Sequence, residues 1–314
     1  MSDMSYRRLG ESGLVVSAVG LGANNFGRRI DLDATRAVVD AAFDAGITLI
    51  DTADIYGESE AFLGEVLQGR RDEVVLATKF GGDTGGANGP DWGARTSRRY
   101  IRKAVERSLR RLRTDWIDLY QIHFPDPATP VEETLATLSD LVREGKVRYV
   151  GSSNFAGWQV ADADWIARNE GHERFVSAQN EYSLLNRKVE TELTPALLHY
   201  GLGLLPYFPL ANGLLTGKYR RGAAVPEGSR LASRPEYLTD ARLDVVERLA
   251  EFAERRGVGL LDVAFGWLLA QPGVSSVIAG ATKPEQVKAN AVAGTWQPDE
   301  EALAELDRIA PRPS

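Results

Sequence analysis

Trp116-Ile117-Asp118-Leu119-Tyr120-Gln121-Ile122 is a run rich in β-branched and aromatic residues, and it reads as a strand with His123 just after it. Thr129-Pro130-Val131-Glu132 follows with the spacing of a capping box and a proline at the first helical position. Val131, Leu135, Leu138 and Val142 then recur on one helical face, and Val147 to Val150 returns to the strand pattern. Strand, helix, strand is one βαβ unit, and its crossover makes the two strands parallel.

The same order extends in both directions. Upstream lie strand-like runs near Ser17 to Leu21, Ile47 to Ile50 and Val74 to Ala77. The second is followed by a helical stretch from Ser59 to Leu67. The third is followed by a helix opened by Ser97, with Ile101, Val105, Leu109 and Leu112 on one face. Downstream come a helix near Gly157 to Ala167, a strand at Phe175 to Ala178, a helix near Val189 to His199 and a strand at Leu202 to Leu205. Two helical stretches follow, near Ala241 to Arg255 and Leu261 to Leu269. Val274 to Ile278 is the last strand, and a second capping box, Thr282-Lys283-Pro284-Glu285, starts a helix through Val292. Eight strands with helices between them in 314 residues is the arithmetic of a (β/α)8 TIM barrel. The reading is therefore one α/β domain over residues 1–314, with extra helices towards its C-terminal end. Tyr6 to Leu9 and Leu14 to Val16 read as an N-terminal β-hairpin turning at Glu11-Ser12-Gly13. A doubly wound sheet is the alternative. Gly20-Leu21-Gly22-Ala23-Asn24-Asn25 lacks the third glycine of its phosphate loop, and no helix opens there. Gly81 to Arg95, with six glycines and a proline, and Arg220 to Tyr237 read as loops.

Composition narrows the function classes. The chain is 43% hydrophobic and 26% charged, enough to build a large core. A net charge of −7 argues against nucleic acid and anionic membranes as partners. The eight basic residues between Arg98 and Arg113 share their helix with an apolar face and read as its solvated side. There is no cysteine, which excludes thiol catalysis and disulfides, and three histidines make a multi-His metal site improbable, so no metal is expected. No apolar run reaches the ~18 residues of a membrane helix. Arg7-Arg8 is separated from the next apolar run by Glu11 and no cleavage site follows, so the expected location is cytoplasmic. The sequence leaves oligomeric state open.

In a barrel the C-terminal strand ends meet on one rim, where chemistry takes place. The residues found there are Asp51 with Tyr56 close behind, Lys79, His123, Ser152-Ser153-Asn154, Gln179, Tyr207, and Gly280-Ala281-Thr282. Buried charge is costly unless paired, so Asp51, Lys79 and His123 on one rim imply a site. The reading is proton transfer. An ammonium at Lys79, held by Asp51, lowers the pKa of the Tyr56 phenol, and a neutral His123 donates to a substrate oxygen. No side chain is an evident nucleophile, so the hydride needed to reduce a carbonyl comes from a cofactor. Asn154 and Gln179 can pair with a carboxamide, Tyr207 offers a stacking face, and the helix beginning at Thr282, with Lys283 beside it, suits a phosphate. Phe26, Trp92 and Tyr56 are aromatic candidates for the substrate pocket, with His123 beside them.

Asp51-Thr52-Ala53-Asp54-Ile55-Tyr56-Gly57, Ala77-Thr78-Lys79, Gln121 to Pro127, Gly151-Ser152-Ser153-Asn154-Phe155, Gln179-Asn180-Glu181-Tyr182, Leu214 to Tyr219 and Thr282 to Val287 resemble the aldo-keto reductases, in order and over nearly the whole chain. The resemblance is to the bacterial branch similar to voltage-gated potassium channel β-subunits. It implies a barrel that binds NADP(H) in extended form, with NAD(H) as the alternative, and reduces a small-molecule aldehyde or ketone. It implies Tyr56 as general acid, Lys79 and Asp51 tuning it, and His123 orienting the carbonyl. Ser153, Asn154 and Gln179 are implied to hold the nicotinamide amide and Tyr207 to stack on its ring. Phe208, Leu210, Lys218, Gly280 and Thr282 are implied as further cofactor contacts, with Lys283, Gln286 and Asn290 along the adenosine end. The branch also implies an alternative, a nucleotide-binding redox-sensing or regulatory subunit with little turnover. Three positions depart from the family pattern. Phe208 replaces a serine in Tyr207-Phe208-Pro209-Leu210, Asn212 stands where many relatives carry arginine, and Gln286 stands where others have an arginine on the 2′-phosphate.

Overall fold

The chain enters through a hairpin, β1 (Tyr6–Arg8) and β2 (Val15–Ser17), antiparallel with Tyr6 opposite Ser17. The Ser12 hydroxyl closes its turn by donating to the Leu9 carbonyl at 2.7 Å. Leu9 and Val16 are fully buried and pack with Leu49, Ala77, Leu119, Leu205 and Ile278, one or more from each side of the barrel interior. The hairpin thus stops the barrel's lower end. Gly10 lies at φ +59, and a Cβ there would collide with the Gly201 carbonyl, so only glycine lets the turn seat this closely. Arg7 donates to the carbonyls of Leu269 and Val274 at 2.7 and 3.1 Å, and Ser275 Oγ donates to the Arg8 carbonyl at 3.0 Å.

Eight parallel strands follow: β3 (Val19–Gly22), β4 (Leu49–Asp51), β5 (Val75–Phe80), β6 (Ile117–Ile122), β7 (Val147–Ser153), β8 (Ser177–Glu181), β9 (Gly203–Tyr207) and β10 (Val277–Gly280). Their order is β10-β3-β4-β5-β6-β7-β8-β9. The ring closes between β9 and the residues just before β10, where Leu204 bridges Val274 and the Ser275 N–H donates to Leu204 at 2.9 Å. The computed structural model describes residues 4–219, 222, 225 and 230–312; much of the expected loop 220–237 lies outside them.

Ten α-helices surround the strands among the described residues: α1 (Leu32–Asp44), α2 (Ser59–Val66), α3 (Arg98–Leu112), α4 (Val131–Arg143), α5 (Gly157–Glu170), α6 (Leu193–Tyr200), α7 (Asp240–Arg256), α8 (Leu260–Ala270), α9 (Pro284–Ala293) and α10 (Glu300–Ile309). The expected (β/α)8 architecture holds, with α7 and α10 as additions. None of these helices is long and apolar enough to cross a membrane. The apolar face of α3 is buried, and its basic face pairs with neighbours, Arg111 with Glu60 at 2.6 Å and Arg102 with Asp140 at 3.2 Å.

Both expected capping boxes are corrected. Pro130 is itself the N-cap of α4, in extended conformation, and Thr129 gives its hydroxyl to Asp126 at 3.2 Å instead. Lys283 is the N-cap of α9, and Gln286 Oε1 reaches back to accept from the N–H and Oγ1 of Thr282 at 2.7 and 3.2 Å. The single helix expected near Val189 to His199 is a short 3-10 turn at Lys188–Glu190 followed by α6. Pro195 explains the break, because it has no N–H and is tolerated only in a helix's first turn.

Candidate active site

The strand order places the polar strand ends around one opening. Asp51 ends β4, Lys79 lies in β5, Gln121 in β6, and His123 continues the ladder by donating its N–H to Phe80 at 2.7 Å. Tyr56 stands on the turn between β4 and α2, where its N–H donates to the Ala53 carbonyl at 3.0 Å. These residues converge. Lys79 Nζ donates to Asp51 Oδ2 at 2.6 Å and to the Thr52 carbonyl at 2.9 Å, and it lies 5.2 Å from the centre of the Tyr56 ring. The His123 ring meets Tyr56 edge-on at 5.8 Å and stacks on Phe124 at 4.4 Å. Asp51 Oδ1 takes Gln179 Nε2 at 2.8 Å and Gln121 Nε2 at 3.3 Å, so two amides and an ammonium satisfy a carboxylate that is 3% exposed.

Burial sets the protonation of these groups. It pushes the Tyr56 phenol above the ordinary tyrosine value; Lys79, with a smaller help from Arg28, pulls back only part of the way, because the Asp51 charge works against it. The expected net lowering of this phenol is therefore corrected: desolvation outweighs the neighbouring ammonium. Burial alone would lower Lys79, but Asp51 and Tyr56 together override it and hold the ammonium above its usual range. Burial, with the Lys79 charge, takes the His123 imidazole down to about 3, so the ring is neutral. Its Nδ1 is buried without a partner.

A cavity of about 1070 Å³ opens over this cluster. Asp51, Tyr56, His123, Ser153, Asn154, Gln179, Tyr207, Phe208, Leu210, Lys218, Gly280, Thr282, Gln286 and Asn290 all line it. Lys79 is fully buried behind the wall, touching the cavity only through its partners. Lys283 is exposed and does not line it. Two substrate candidates fall elsewhere. Phe26 is wholly buried in the outer core, and Trp92 is 75% exposed, its ring covered by Arg99 at 4.0 Å. Aromaticity alone pointed to both, and it does not distinguish a cavity wall from a core or a loop.

The wall also carries residues that the sequence does not mark as site candidates: Asn24, Arg28, Arg29, Ile55, Phe124 and Arg234. Arg28 donates to the Ile55 carbonyl at 2.5 Å, with its guanidinium 5.9 Å from the Tyr56 ring. A strand-end signal was available for Asn24, which stands two residues after Gly22, the end of the first barrel strand. None was available for Arg234.

The far side of the cavity is preorganised by amides. Tyr207 donates to Asn154 Oδ1 at 2.7 Å, while Asn154 Nδ2 donates to the His123 carbonyl and Ser153 Oγ, both at 3.0 Å. Asn154 and Phe208 sit at φ +61 and +53, a left-handed backbone that non-glycine residues adopt only when held there. Asn212 Oδ1 is buried on this wall without a partner, while Gln179 commits its Nε2 to Asp51. The unpartnered Asn212 oxygen, the Tyr207 ring and the cations Lys218 and Arg234 fit a planar carboxamide joined to phosphates. Among the described residues no cluster of three or more ligating side chains is placed to hold a metal.

Residues 18–311 match the model of the aldo/keto reductase family. The chain belongs to that family. It is 39% identical to the uncharacterized oxidoreductase YrpG of Bacillus subtilis, over 99% of this chain and 97% of that protein. It is 38% identical to a probable voltage-gated potassium channel subunit beta of Oryza sativa, over 91% of this chain and 90% of the other. To the L-glyceraldehyde 3-phosphate reductase of Escherichia coli O157:H7 it is 36% identical, over 98% and 92%. Membership of the family places the chain among the oxidoreductases.

Proposed function

We propose that the protein reduces an aldehyde or ketone to an alcohol with NADP(H), or alternatively NAD(H), and that Tyr56 is the general acid. The observation that carries this reading is the buried relay Asp51–Lys79–Tyr56, with its 2.6 Å ion pair beside the phenol and a neutral imidazole facing it. Gln179, Asn154 and Ser153 would hold the carboxamide, Tyr207 would cover the ring, and Lys218 with Arg234 would balance phosphate charge. The bound dinucleotide supplies the hydride. His123 donates a hydrogen bond to the carbonyl oxygen and fixes its orientation. Tyr56, protonated at neutral pH, gives its proton to that oxygen as negative charge develops there. Lys79 stabilises the resulting phenolate in a site of low dielectric, where a fixed charge acts strongly. Asp51 keeps Lys79 charged and aimed. The folding-back of Gln286 onto Thr282 occupies the N–H expected to meet phosphate, which shifts that duty towards Lys218 and Arg234.

The test is a nucleotide titration followed by turnover with a panel of aldehydes. Tyr56→Phe is expected to keep nucleotide binding and lose turnover. Wild-type turnover in that variant would remove Tyr56 from its role. Similarity to a probable channel subunit favours a second reading, a nucleotide-binding regulatory subunit. Tight nucleotide binding without multiple turnover, across the whole panel, would select it.

A further inference from the structure

Asp54 stands on the same turn as Tyr56, but it lies behind the cavity wall and is only 7% exposed. Its N–H is tied to the Lys79 carbonyl at 3.1 Å. Its Oδ2 accepts from Asn88 Nδ2 at 2.7 Å, and the same Nδ2 reaches Tyr100 Oη at 3.3 Å. The two remaining oxygens of this pair, Asp54 Oδ1 and Asn88 Oδ1, are both buried and both lack a donor. Two unmatched acceptors on one hydrogen-bonded pair is an expensive arrangement for a charged carboxylate. A single proton on Asp54 Oδ1 turns one acceptor into a donor and gives the Asn88 oxygen its partner.

The surroundings favour that proton. Glu60 of α2 faces Asp54, and its own oxygens are committed to Thr78 Oγ1 at 2.7 Å and to Arg111 at 2.6 Å. Arg111 of α3 is held by Glu60, and Lys79 of β5 by Asp51, so neither cation is free for Asp54. Tyr100 of α3 and Tyr120 of β6 complete the enclosure, and burial keeps both phenols protonated. Burial first, and then Glu60, push the Asp54 carboxyl up to about 7.

Asn88 matters because of where it sits. From Asp83 to Arg95 it is the one buried residue, and the loop around it is rich in glycines at positive φ. It is the peg by which this loop is fastened. The start of the loop presses on the cavity wall: a Cβ at Gly82 would lie 2.6 Å from Ile55 and 3.6 Å from His123 Nδ1. Ile55 and His123 both line the cavity next to Tyr56.

We propose that Asp54 is a positioning residue that works as a neutral carboxylic acid, clasping Asn88 through two opposed hydrogen bonds and so holding the 81–95 loop against Ile55 and His123. When the proton leaves, one of the two bonds is lost, an unpaired carboxylate is left beside Glu60, and the loop lets go. The consequence for carbonyl reduction rests on the function proposed above; the consequence for the loop does not.

Hydrogen exchange of the 81–95 segment in the full chain, corrected for intrinsic rates, tests this between about pH 6 and about pH 8.5, on either side of the titration. Wild type is expected to exchange about tenfold faster at the higher pH, where only a few per cent of the acid remains. Asp54→Asn places an amide where the acid stood, able to accept and donate in the same way, and is expected to stay protected at both pH values. Asn88→Ala is expected to exchange fast at both. Equal protection of wild type at the two pH values, or an Asp54→Asn variant as open as Asn88→Ala, would overturn the proposal. With a neutral aldehyde, KM is expected to rise with pH in wild type and stay level in Asp54→Asn, with nucleotide affinity unchanged in both. If no aldehyde is turned over, the proposed function fails while the exchange result still decides the clasp.

Discussion

Replacing Lys79 by methionine separates what the buried ammonium does for the fold from what it does for the reaction. Lys79 is fully buried and its Nζ lies 2.6 Å from Asp51 Oδ2. In Lys79→Met the carboxylate keeps Gln179 and Gln121 as donors but loses its only close cation among the described residues. Breaking a buried pair by removing one partner costs about 3–5 kcal/mol, because the other charge is left uncompensated. At roughly 2 °C per kcal/mol for a chain of this size, the midpoint should fall by about 6–10 °C. Asp51→Asn added to Lys79→Met removes the stranded charge and should return at least half of that loss. Activity should not return with it. The phenolate formed when Tyr56 gives up its proton would still lack its ammonium, so kcat/KM for an aldehyde should stay about 10²–10⁴-fold down in both variants. Thermal unfolding by circular dichroism and initial rates on the same preparations supply the two readouts. A double variant that regains both stability and turnover would show that Lys79 acts only by neutralising Asp51, and the proposed relay would fail.

Further outcomes follow from the same geometry. Tyr56→Phe should lower carbonyl turnover by about 10²–10⁴-fold while nucleotide affinity, read by fluorescence titration, is unchanged. His123 titrates at about 3 when folded and near 6.5 when unfolded, so the unfolded chain takes up the proton first and stability falls as pH drops below the unfolded value, at about 1.4 kcal/mol per unit. Urea titrations between neutral and mildly acid pH should show that slope diminished in His123→Asn; an unchanged slope would mean that the imidazole is not held neutral. Phe26→Ala should cost about 3–5 kcal/mol, as a buried core aromatic does. Trp92→Ala should stay within about 0.5 kcal/mol of wild type. Neither should alter the choice among aldehydes, and a changed substrate ranking would put the ring in question at the cavity after all.

The barrel was legible because its strands are apolar and its helices periodic. What escaped was mostly at the seams. The strands β5, β7 and β8 run on to Phe80, Ser153 and Glu181, past the ends of their apolar runs, because their late residues include Lys79, Ser153 and Gln179, polar groups taken up by the site rather than by the core. The helix α1 went unread although Asp31 caps it through Ala34 N–H at 2.9 Å; its burial is carried partly by small residues, Ala41 and Ala42, which give little periodic contrast. Thr129 and Thr282 had the spacing of caps, but each found a nearer side-chain partner in Asp126 and Gln286. The convergence of Asp51, Tyr56, Lys79 and His123 could be read from strand ends, since the topology alone brings those ends together. The direction of the Tyr56 shift could not, since it depends on how dry the phenol is, and that is a property of the packed whole. Asn88 gave no signal, standing in a glycine-rich stretch with nothing in its neighbours to mark it as buried.

The hairpin that stops the barrel floor ties residues far apart in the sequence into one structure. Arg7 reaches the carbonyls of Leu269 and Val274, Arg8 receives Ser275, and β3 takes β10 as one of its two neighbours. A ribosome delivers these partners some 260 residues apart. The hairpin therefore has to wait, with Leu9 and Val16 uncovered, until the segment from Leu269 to Ser275 has been made. Maturation is gated by the arrival of the final strand, and a stall or truncation shortly before it would leave an unfinished ring with an adhesive rim, a substrate for chaperones rather than a smaller working protein.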